Sequence, residues 1–307
     1  MPRPRVTIFG PHPLVTVAVE DRGGADDIHV HVGGQGVCVA RMAGELGADP
    51  VLCGFVGGEP GVLLAPLLEA MPGELRLVRT AATTGCYVVD RRGAERQMVA
   101  TALSEAPSRH EIDELVSATC AAALESDALV IANPFPAETL PLEVYRTLVA
   151  DVRQNGVPVL VDLSTPRLDS ALAGAPDVVK LNDWELAEFV RAPVDSLERR
   201  LAAAQALLDA GAGSVIVTRA AEPALALRDG HAWEIAPPRF DRGAREGCGD
   251  SMMGALAAAL ARGDDWLDAV VTGAAAGAAN FLRHGLGTGS AAVVAELRDR
   301  VEVRSLG

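Results

Sequence analysis

Lysine is almost absent from this chain. Of its 27 basic residues only Lys180 is a lysine, and it lies in the segment Val-Val-Lys-Leu-Asn. A phosphate-binding P-loop needs a Gly-Lys-Ser/Thr triplet, and a protein kinase needs a strand lysine that faces the phosphates. The surroundings of Lys180 match neither pattern. Both of these nucleotide-binding classes are therefore excluded, and any nucleotide chemistry must use another phosphate cradle.

Cysteines and aromatic residues are also scarce. The five cysteines are odd in number and no two have the Cys-x-x-Cys spacing. This argues against a disulfide framework or a structural zinc site and predicts a reducing compartment. Aromatic residues make up 4% of the 307 residues, whereas hydrophobic residues make up 49% and include many alanines. A large core of closely packed helices and sheet is expected.

The sequence also has few basic residues relative to acidic ones, and it has no long apolar run. The 41 acidic residues outnumber the basic ones and give a net charge of −14. Such a chain repels phosphate backbones and anionic lipid, so we expect neither a nucleic-acid nor a membrane partner. The longest weakly polar stretch, about residues 269–282, is shorter than the ~20 residues that span a bilayer. Because no signal-peptide core follows the N-terminus, a cytoplasmic location is expected.

The order of hydrophobic patterns predicts one α/β domain over residues 1–307. From about residue 110, strands alternate with helices, for example a helix at 138–154 before a strand at 158–162. This rhythm predicts a mainly parallel sheet between two layers of helices. Earlier β-like runs, roughly 11–32 and 82–101 with a hairpin turn at 91–94, predict a smaller sheet. Ligands are expected beyond the carboxyl ends of the parallel strands.

The segment Gly247-Cys248-Gly249-Asp250 carries most of the chemical information. Its glycines allow close backbone approach to a ligand, and the helix expected to follow would offer unpaired amides and a positive dipole end. A carboxylate in that turn can accept a proton from an attacking hydroxyl. Together these features suit phosphoryl transfer. The structural alternative is an aspartate that caps a helix after a glycine-rich turn.

The same segment resembles the second signature, Gly-Ala-Gly-Asp, of the ribokinase-like carbohydrate kinases of the phosphofructokinase B (PfkB) type. Residues 33–41, which begin Gly-Gly-Gln-Gly, resemble the first signature of that family. Residues 179–186, Val-Lys-Leu-Asn-Asp-Trp-Glu-Leu, resemble its Lys-Pro-Asn-x-x-Glu segment. Segments 54–58, 159–164, 215–225 and 287–306 follow in the family's order. The likeness spans nearly the whole chain and is nearest the 1-phosphofructokinase and tagatose-6-phosphate kinase branch.

The resemblance implies a Rossmann-like core with a small β-sheet lid over the sugar, often shared in a homodimer. It also implies ATP and Mg²⁺, with a sugar or sugar phosphate as the small-molecule acceptor. In this interpretation Asp250 is the general base, and the amides of Gly247, Cys248 and Gly249 form an anion hole for the transferred phosphoryl group.

Binding residues are implied by the same match. The implied Mg²⁺ residues are Asn182 and Glu185, the implied nucleotide contacts are Lys180, Thr218 and Asn280, and the implied acceptor contacts are Thr16, Gly33, Gly34, Gln35 and Cys38. Two structural alternatives stay open. The three-residue spacing of Asn182 and Glu185 also fits a capping box, and Asn280 could be a solvated polar residue of its helix.

Several positions depart from the branch pattern. Thr16 replaces an aspartate, Gln35 a lysine, Cys38 an asparagine and Thr84 an arginine, and Asn133-Pro134 replaces Gly-Ser. The loss of an arginine and a lysine removes strong phosphate binders, although Arg91, Arg92 or Arg96 in the lid could compensate. On the nucleotide side, residues 220–223, Ala-Ala-Glu-Pro, replace Gly-Ala-Asp-Gly.

These departures leave three functional hypotheses. The first is a kinase for a sugar or sugar phosphate. The second is a kinase for a non-phosphorylated sugar-like or nucleoside acceptor, and the third is a catalytically degenerate ligand-binding protein.

Overall fold

Two separate sheets organise the residues that the structure, a computed structural model, describes: 2–93, 96–283 and 287–307. The strands are β1 (Arg5–Phe9), β2 (Leu14–Asp21), β3 (Asp26–Gly33), β4 (Asp49–Val56), β5 (Glu74–Arg79), β6 (Cys86–Asp90), β7 (Gln97–Ala102), β8 (Ala128–Ala132), β9 (Val159–Asp162), β10 (Val178–Asn182), β11 (Ser214–Arg219), β12 (Glu222–Arg228), β13 (His231–Ala236) and β14 (Glu302–Ser305).

The α-helices lie between these strands and after them. They are α1 (Gln35–Glu45), α2 (Gly58–Glu69), α3 (Arg109–Leu124), α4 (Glu143–Gln154), α5 (Arg167–Leu172), α6 (Asp183–Val190), α7 (Leu197–Asp209), α8 (Cys248–Arg262), α9 (Trp266–Phe281) and α10 (Ala291–Arg298). No helix within the described ranges has both the length and the apolar character needed to cross a bilayer.

The large sheet has the strand order β14-β13-β12-β11-β10-β9-β8-β1-β4-β5. The seven strands from β11 to β5 are parallel, which confirms the predicted parallel core. Strands β12 to β14 extend it in antiparallel fashion. Because chain order changes direction beside β1, the carboxyl ends of the central strands border a crevice, where ligands of such sheets bind.

Alternate residues of the central strands pack on opposite helical layers. Phe9 and Ile131 belong to the hydrophobic cluster that also contains residues of α3, α4 and α7. Ile8 and Val130 belong to the cluster that contains residues of α1, α8 and α9. This two-residue period buries both faces of the sheet and holds α1 and α8 together over one of them.

The start of α1 lies directly against the end of β1. A Cβ atom added to Gly36 would stand 2.6 Å from Cα of Gly10, so side chains are excluded at this crossing. The approach brings the first turn of α1 to the carboxyl edge of the sheet.

The smaller sheet has the order β3-β2-β6-β7 and is built from segments close to the predicted lid. Two antiparallel hairpins, β2-β3 and β6-β7, meet through the parallel pair β2-β6. The predicted turn at 91–94 joins β6 to β7, but Ala94 lies outside the described residues. One face of this lid is apolar and includes Val17, Ile28 and Val30.

Three elements differ from the predictions. The helix expected at 138–154 is a 3₁₀ turn, Ala137–Thr139, followed by α4 from Glu143; Pro141 between them cannot continue a helical hydrogen-bond pattern. Helix α5 has only six residues, too few for a visible period. Every residue of β14 is exposed, so this edge strand has no apolar alternation.

Candidate active site

Helix α8 begins at the glycine-rich segment with unsatisfied backbone donors. Gly247 adopts a left-handed conformation with φ 78° and no side chain caps the helix. The Cys248 amide donates to the carbonyl oxygen of Arg245 at 3.3 Å. Within the described residues, the amides of Gly249 and Asp250 have no such acceptor. The amide of Gly247 likewise has no acceptor among the described residues, so two of the three predicted anion-hole amides, those of Gly247 and Gly249, are free, and the anion hole stays a prediction.

Asp250 lies in the first turn of α8 and is partly buried. Burial raises its pKa to about 6, the nearby Asp162 carboxylate adds to the rise, and the Lys180 ammonium opposes it. Hydrogen bonds with Cys38 and Gln35 also lower the pKa. A carboxyl group with a pKa near 6 is mostly ionised at neutral pH and can still accept a proton, as a general base must.

A buried ion pair lies beneath this helix start. Nζ of Lys180 is 2.5 Å from Oδ2 of Asp162, and the two side chains are 6% and 5% exposed. Burial alone would lower the pKa of Lys180, but Asp162 and, more weakly, Asp250 and Glu185 raise it. A Cβ atom on Gly249 would stand 2.9 Å from Nζ. A side chain at position 249 would therefore displace this ammonium from its place under α8.

Asn182 and Glu185 form the capping box that the sequence left as one alternative. Oδ1 of Asn182 accepts a hydrogen bond from the Glu185 amide at 2.9 Å, and Oε2 of Glu185 accepts one from the Asn182 amide at 2.9 Å. Burial raises the pKa of Glu185, and Asp162 adds to the rise. The box uses one oxygen of Glu185, so Oε1 stays available, and the Mg²⁺ assignment stays a prediction.

The first turn of α1 reaches the same carboxylate. Gln35 and Cys38 both contact Asp250. Oε1 of Gln35 accepts a 2.6 Å hydrogen bond from the backbone amide of Asn133, which follows β8. Gly34 precedes the helix with φ 104°, a conformation that favours glycine. Two of the predicted acceptor residues, Gln35 and Cys38, thus lie beside the predicted base.

Comparison with known proteins agrees with this geometry. The family model described as "pfkB family carbohydrate kinase" matches residues 15–292. The chain belongs to the pfkB family of carbohydrate kinases. The protein is therefore a phosphotransferase with an alcohol group as acceptor, and family membership implies ATP as the phosphoryl donor. This confirms the family and the enzyme class that the sequence predicted.

Two curated relatives and one solved structure illustrate the kinship. The chain is 28% identical over 260 residues to ATP-dependent 6-phosphofructokinase isozyme 2 of Escherichia coli, with 82% of each chain covered. It is 29% identical over 241 residues to 1-phosphofructokinase of Rhodobacter capsulatus, with 77% of this chain and 75% of that one covered. A tetrameric inhibited form of E. coli phosphofructokinase-2 superposes with a TM-score of 0.83 at 24% identity, covering 97% and 99%. The ribokinase-like fold is thereby confirmed.

On the acceptor side, this carbohydrate kinase places Thr16 at the root of the lid. Thr16 is buried and pairs across the sheet with His31. Its Oγ1 would stand 2.9 Å from a Cβ atom on Gly33, so the glycine gives the hydroxyl room. Burial lowers the pKa of His31, and His29, Arg41 and Arg91 lower it further. Two arginines, Arg41 and Arg91, therefore lie near His31 on the face of the lid that carries Thr16, together with the carboxylate of Glu20.

The three lid arginines take different positions. Arg92 binds Asp90 at 2.7 Å and Asp26 at 3.0 Å at the exposed end of the strands. Nη1 of Arg91 lies 3.8 Å from Oε1 of Glu20, and the Arg91 side chain is only 18% exposed. Arg96 is near Tyr87, whose pKa burial raises to about 12 and Arg96 partly lowers. Arg91 and Arg96 therefore line the lid, whereas Arg92 is held at its outer edge.

Two of the predicted nucleotide residues, Thr218 and Asn280, lie in different surroundings. Thr218 is next to last in β11 and donates to the carbonyl oxygen of Leu181 at 3.3 Å, at the carboxyl edge of the sheet. Asn280 is fully buried, not solvated as one alternative had it. Its Nδ2 donates to the Glu246 carbonyl oxygen at 2.8 Å and its Oδ1 accepts from the Thr288 amide at 3.1 Å. Asn280 thus holds the loop before α8, and nucleotide contact stays a prediction.

Sequence reasoning assigned no role to three residues of this site, of which Asn133 was noted only as a departure from the family pattern. Asp162 ends β9, Asn133 follows β8, and Arg167 begins α5. The available signal was positional, because each follows or ends a parallel strand at the edge where ligands bind.

Proposed function

We propose that the protein transfers the γ-phosphoryl group of ATP to a hydroxyl of a phosphorylated sugar. The observation that carries this proposal is the position of two arginines, Arg41 and Arg91, near the neutral His31 on a protein of net charge −14. Arg41 lies near Cys38, which in turn contacts Asp250. A pair of arginines this close to the base favours an acceptor that carries its own negative group. Both curated relatives are named phosphofructokinases, which supports the same acceptor class.

The chemistry assigns Asp250 as the base. Its ionised carboxylate accepts the proton of the acceptor hydroxyl as that oxygen attacks phosphorus. The free amides of Gly249 and Asp250, at the positive end of α8, donate hydrogen bonds to the phosphoryl oxygens where charge is held. The Lys180 ammonium beneath Gly249 adds positive charge at the same point.

The protein can supply part of the ligands that a magnesium ion needs. The described residues contain no group of three or more His, Cys, Asp or Glu side chains arranged to hold an ion. Mg²⁺ is commonly bound by one or two carboxylates together with waters and substrate phosphates, and the unused oxygen of Glu185 beside Asn182 suits that role. When bound, the ion would neutralise charge on the nucleotide phosphates.

Steady-state assays of ADP release test the proposal, with fructose 1-phosphate, fructose 6-phosphate, tagatose 6-phosphate and fructose as acceptors. We expect turnover of a phosphorylated sugar. The Arg91→Met variant should raise KM for that sugar about tenfold, whereas Arg92→Met, whose arginine is bound at the outer edge, should not. Asp250→Asn should abolish turnover without lowering the melting temperature, because the raised pKa of Asp250 means that its charge costs stability at pH 7. Equal efficiency with fructose and an unchanged KM in Arg91→Met would overturn the acceptor class.

A non-phosphorylated acceptor is the second candidate. It is favoured by the neutral Gln35 and Thr84 at positions where the family carries lysine and arginine, since these changes remove two phosphate binders. In the same assay this candidate predicts turnover of neutral sugars or nucleosides only. A non-catalytic protein would bind without turnover, and a thermal-shift experiment with ATP and Mg²⁺ detects that case.

We also propose a homodimer formed through the apolar face of the lid. Ile28 and Val30 on this face are 64% and 40% exposed and adjoin Val17 and Val19, and the E. coli neighbour is described as tetrameric. Light scattering should give a dimer that Ile28→Lys converts to a monomer. Val62→Lys, at a 75% exposed site on α2, is the control. A wild-type monomer would refute the dimer.

The five free cysteines support a cytoplasmic setting, as a reducing compartment keeps thiols unpaired.

A further inference from the structure

Arg167 is a buried cation whose three hydrogen-bond acceptors are all neutral. It is 4% exposed, and no carboxylate pairs with it in the described part of the chain. Nε donates to Oδ1 of Asn133 at 3.0 Å, Nη1 to the Ala137 carbonyl oxygen at 3.2 Å, and Nη2 to Oγ of Ser164 at 2.5 Å. Burying a charge without a counter-ion is costly. Such a residue calls for a role beyond local packing.

Asn133 joins this cation to the cleft. Its side-chain Oδ1 accepts from Arg167, and its Nδ2 donates to Oγ of Ser164 at 3.3 Å. Ser164 is thus bonded by both residues, so Arg167 and Asn133 form a closed triangle at the ends of β8 and β9. The orientation of Asn133 is fixed by these bonds, and its backbone amide points at Gln35.

The amide of Gln35 consequently has one orientation. Its Oε1 must accept from the Asn133 amide, since a backbone N–H can only donate. The remaining group, Nε2, is therefore the one that can act on Asp250, whose pKa Gln35 lowers as a nearby donor does. Two hydrogen bonds thus connect Arg167 to Gln35 through Asn133, and Gln35 in turn lies beside the carboxylate of the base.

We propose that Gln35 is a positioning residue for Asp250 and that Arg167, through Asn133, locks Gln35 in that position. One Gln35 donor holds the carboxylate so that a lone pair stays directed at the acceptor hydroxyl. The same bond favours the ionised form, the form that accepts a proton. Asp162, Lys180 and Cys38 also face this carboxylate. The Cys38 thiol is a second neutral donor, whereas Gln35 is the donor tied to Arg167 through Asn133. This inference rests on the proposed role of Asp250.

The test compares Gln35→Met, Arg167→Met and their double variant across the pH profile of kcat. Each single variant should lower kcat about tenfold or more, because a hydrogen bond to a charged group is lost. KM for ATP should stay unchanged. The acidic limb of kcat should rise by about one pH unit. The double variant should be no slower than the slower single variant, because both residues act through one contact.

Controls separate positioning from general damage. Arg167→Lys should recover part of kcat, since it keeps a donor and the charge. Arg153→Met, which removes an exposed pair with Asp177 at 3.1 Å, should leave the pH profile unchanged. If Arg167→Met does not fold, Gln35→Met alone decides. Wild-type kcat and pH limb in Gln35→Met, with Asp250→Asn inactive, would overturn the positioning role alone. An active Asp250→Asn would instead refute the base assignment on which the inference rests.

Discussion

Replacement of Lys180 by methionine tests the buried ion pair most directly. The change keeps the length of the side chain and removes its charge. The Asp162 side chain, which is 5% exposed, then loses the ammonium that lies 2.5 Å from it in the wild type. Leaving one charge of a buried pair uncompensated costs roughly 3–5 kcal/mol. Total domain stability is on the order of 5–15 kcal/mol, so Lys180→Met should lose a large share of it at pH 7.

The loss should depend on pH in a defined direction. In Lys180→Met the folded protein gains by protonating the uncompensated carboxylate, so it binds more protons than the unfolded chain as the pH falls. Stability relative to wild type should therefore recover on acidification. The double variant Lys180→Met/Asp162→Asn should recover most of the loss at pH 7, since no buried charge remains.

Urea unfolding followed by circular dichroism at pH 7 and pH 5 measures both effects. Arg199→Met, which removes an exposed pair with Asp195 at 2.8 Å, is the matched control and should change stability by no more than about 1 kcal/mol. A Lys180→Met loss equal to that of the control, or a loss that the double variant does not recover, would refute the reasoning.

Three further outcomes follow from the geometry. The acidic limb of kcat/KM should have its midpoint near pH 6, where Asp250 becomes protonated and can no longer act as base. The variant Asp162→Asn should move this midpoint to lower pH, because the Asp162 carboxylate raises the pKa of Asp250. An unchanged midpoint in that variant would contradict the effect of Asp162 on Asp250. Gly249→Ala should cut turnover sharply, because its Cβ would stand 2.9 Å from the buried ammonium, whereas Gly44→Ala, with its nearest neighbour at 3.6 Å, should retain it. Burial lowers the pKa of His12 to about 4. As the pH falls, His12 is protonated in the unfolded chain before it is protonated in the folded one, so the free energy of unfolding should fall by about 3 kcal/mol between pH 6.5 and pH 4. The variant His12→Gln should reduce that loss in acid-unfolding curves.

The parts of the site that the sequence predicted are those written in local spacing. Asp250 follows two glycines at a helix start, and Asn182 stands three residues before Glu185, so each arrangement is contained within one turn. The ambiguity of that second pair was also local, because a capping box and a pair of metal ligands need the same spacing. The structure shows the box and leaves Oε1 of Glu185 unused.

The missed parts depend on which strands are neighbours. Leu160 pairs with Val178 and Val161 with Val179 in the parallel β9-β10 ladder. One step further along this register, Asp162 comes opposite Lys180 on the same face. The residues are 18 positions apart in sequence, and no periodicity within either strand indicates that β9 and β10 are adjacent. The link from Arg167 to Gln35 spans still more of the chain and needs three elements to meet.

The single lysine acquires a physical explanation from this register. Residues 160 and 178 share the face covered by α1 and α8, so Lys180 points under the start of α8. There the ammonium fits between Asp162 and the backbone of Gly249, whose added Cβ would already be too close. A guanidinium is a broad planar fork, whereas an ammonium is a compact point charge. Lysine at position 180 therefore places a compact charge beneath the helix, where an arginine would bring its broader fork against the backbone of Gly249.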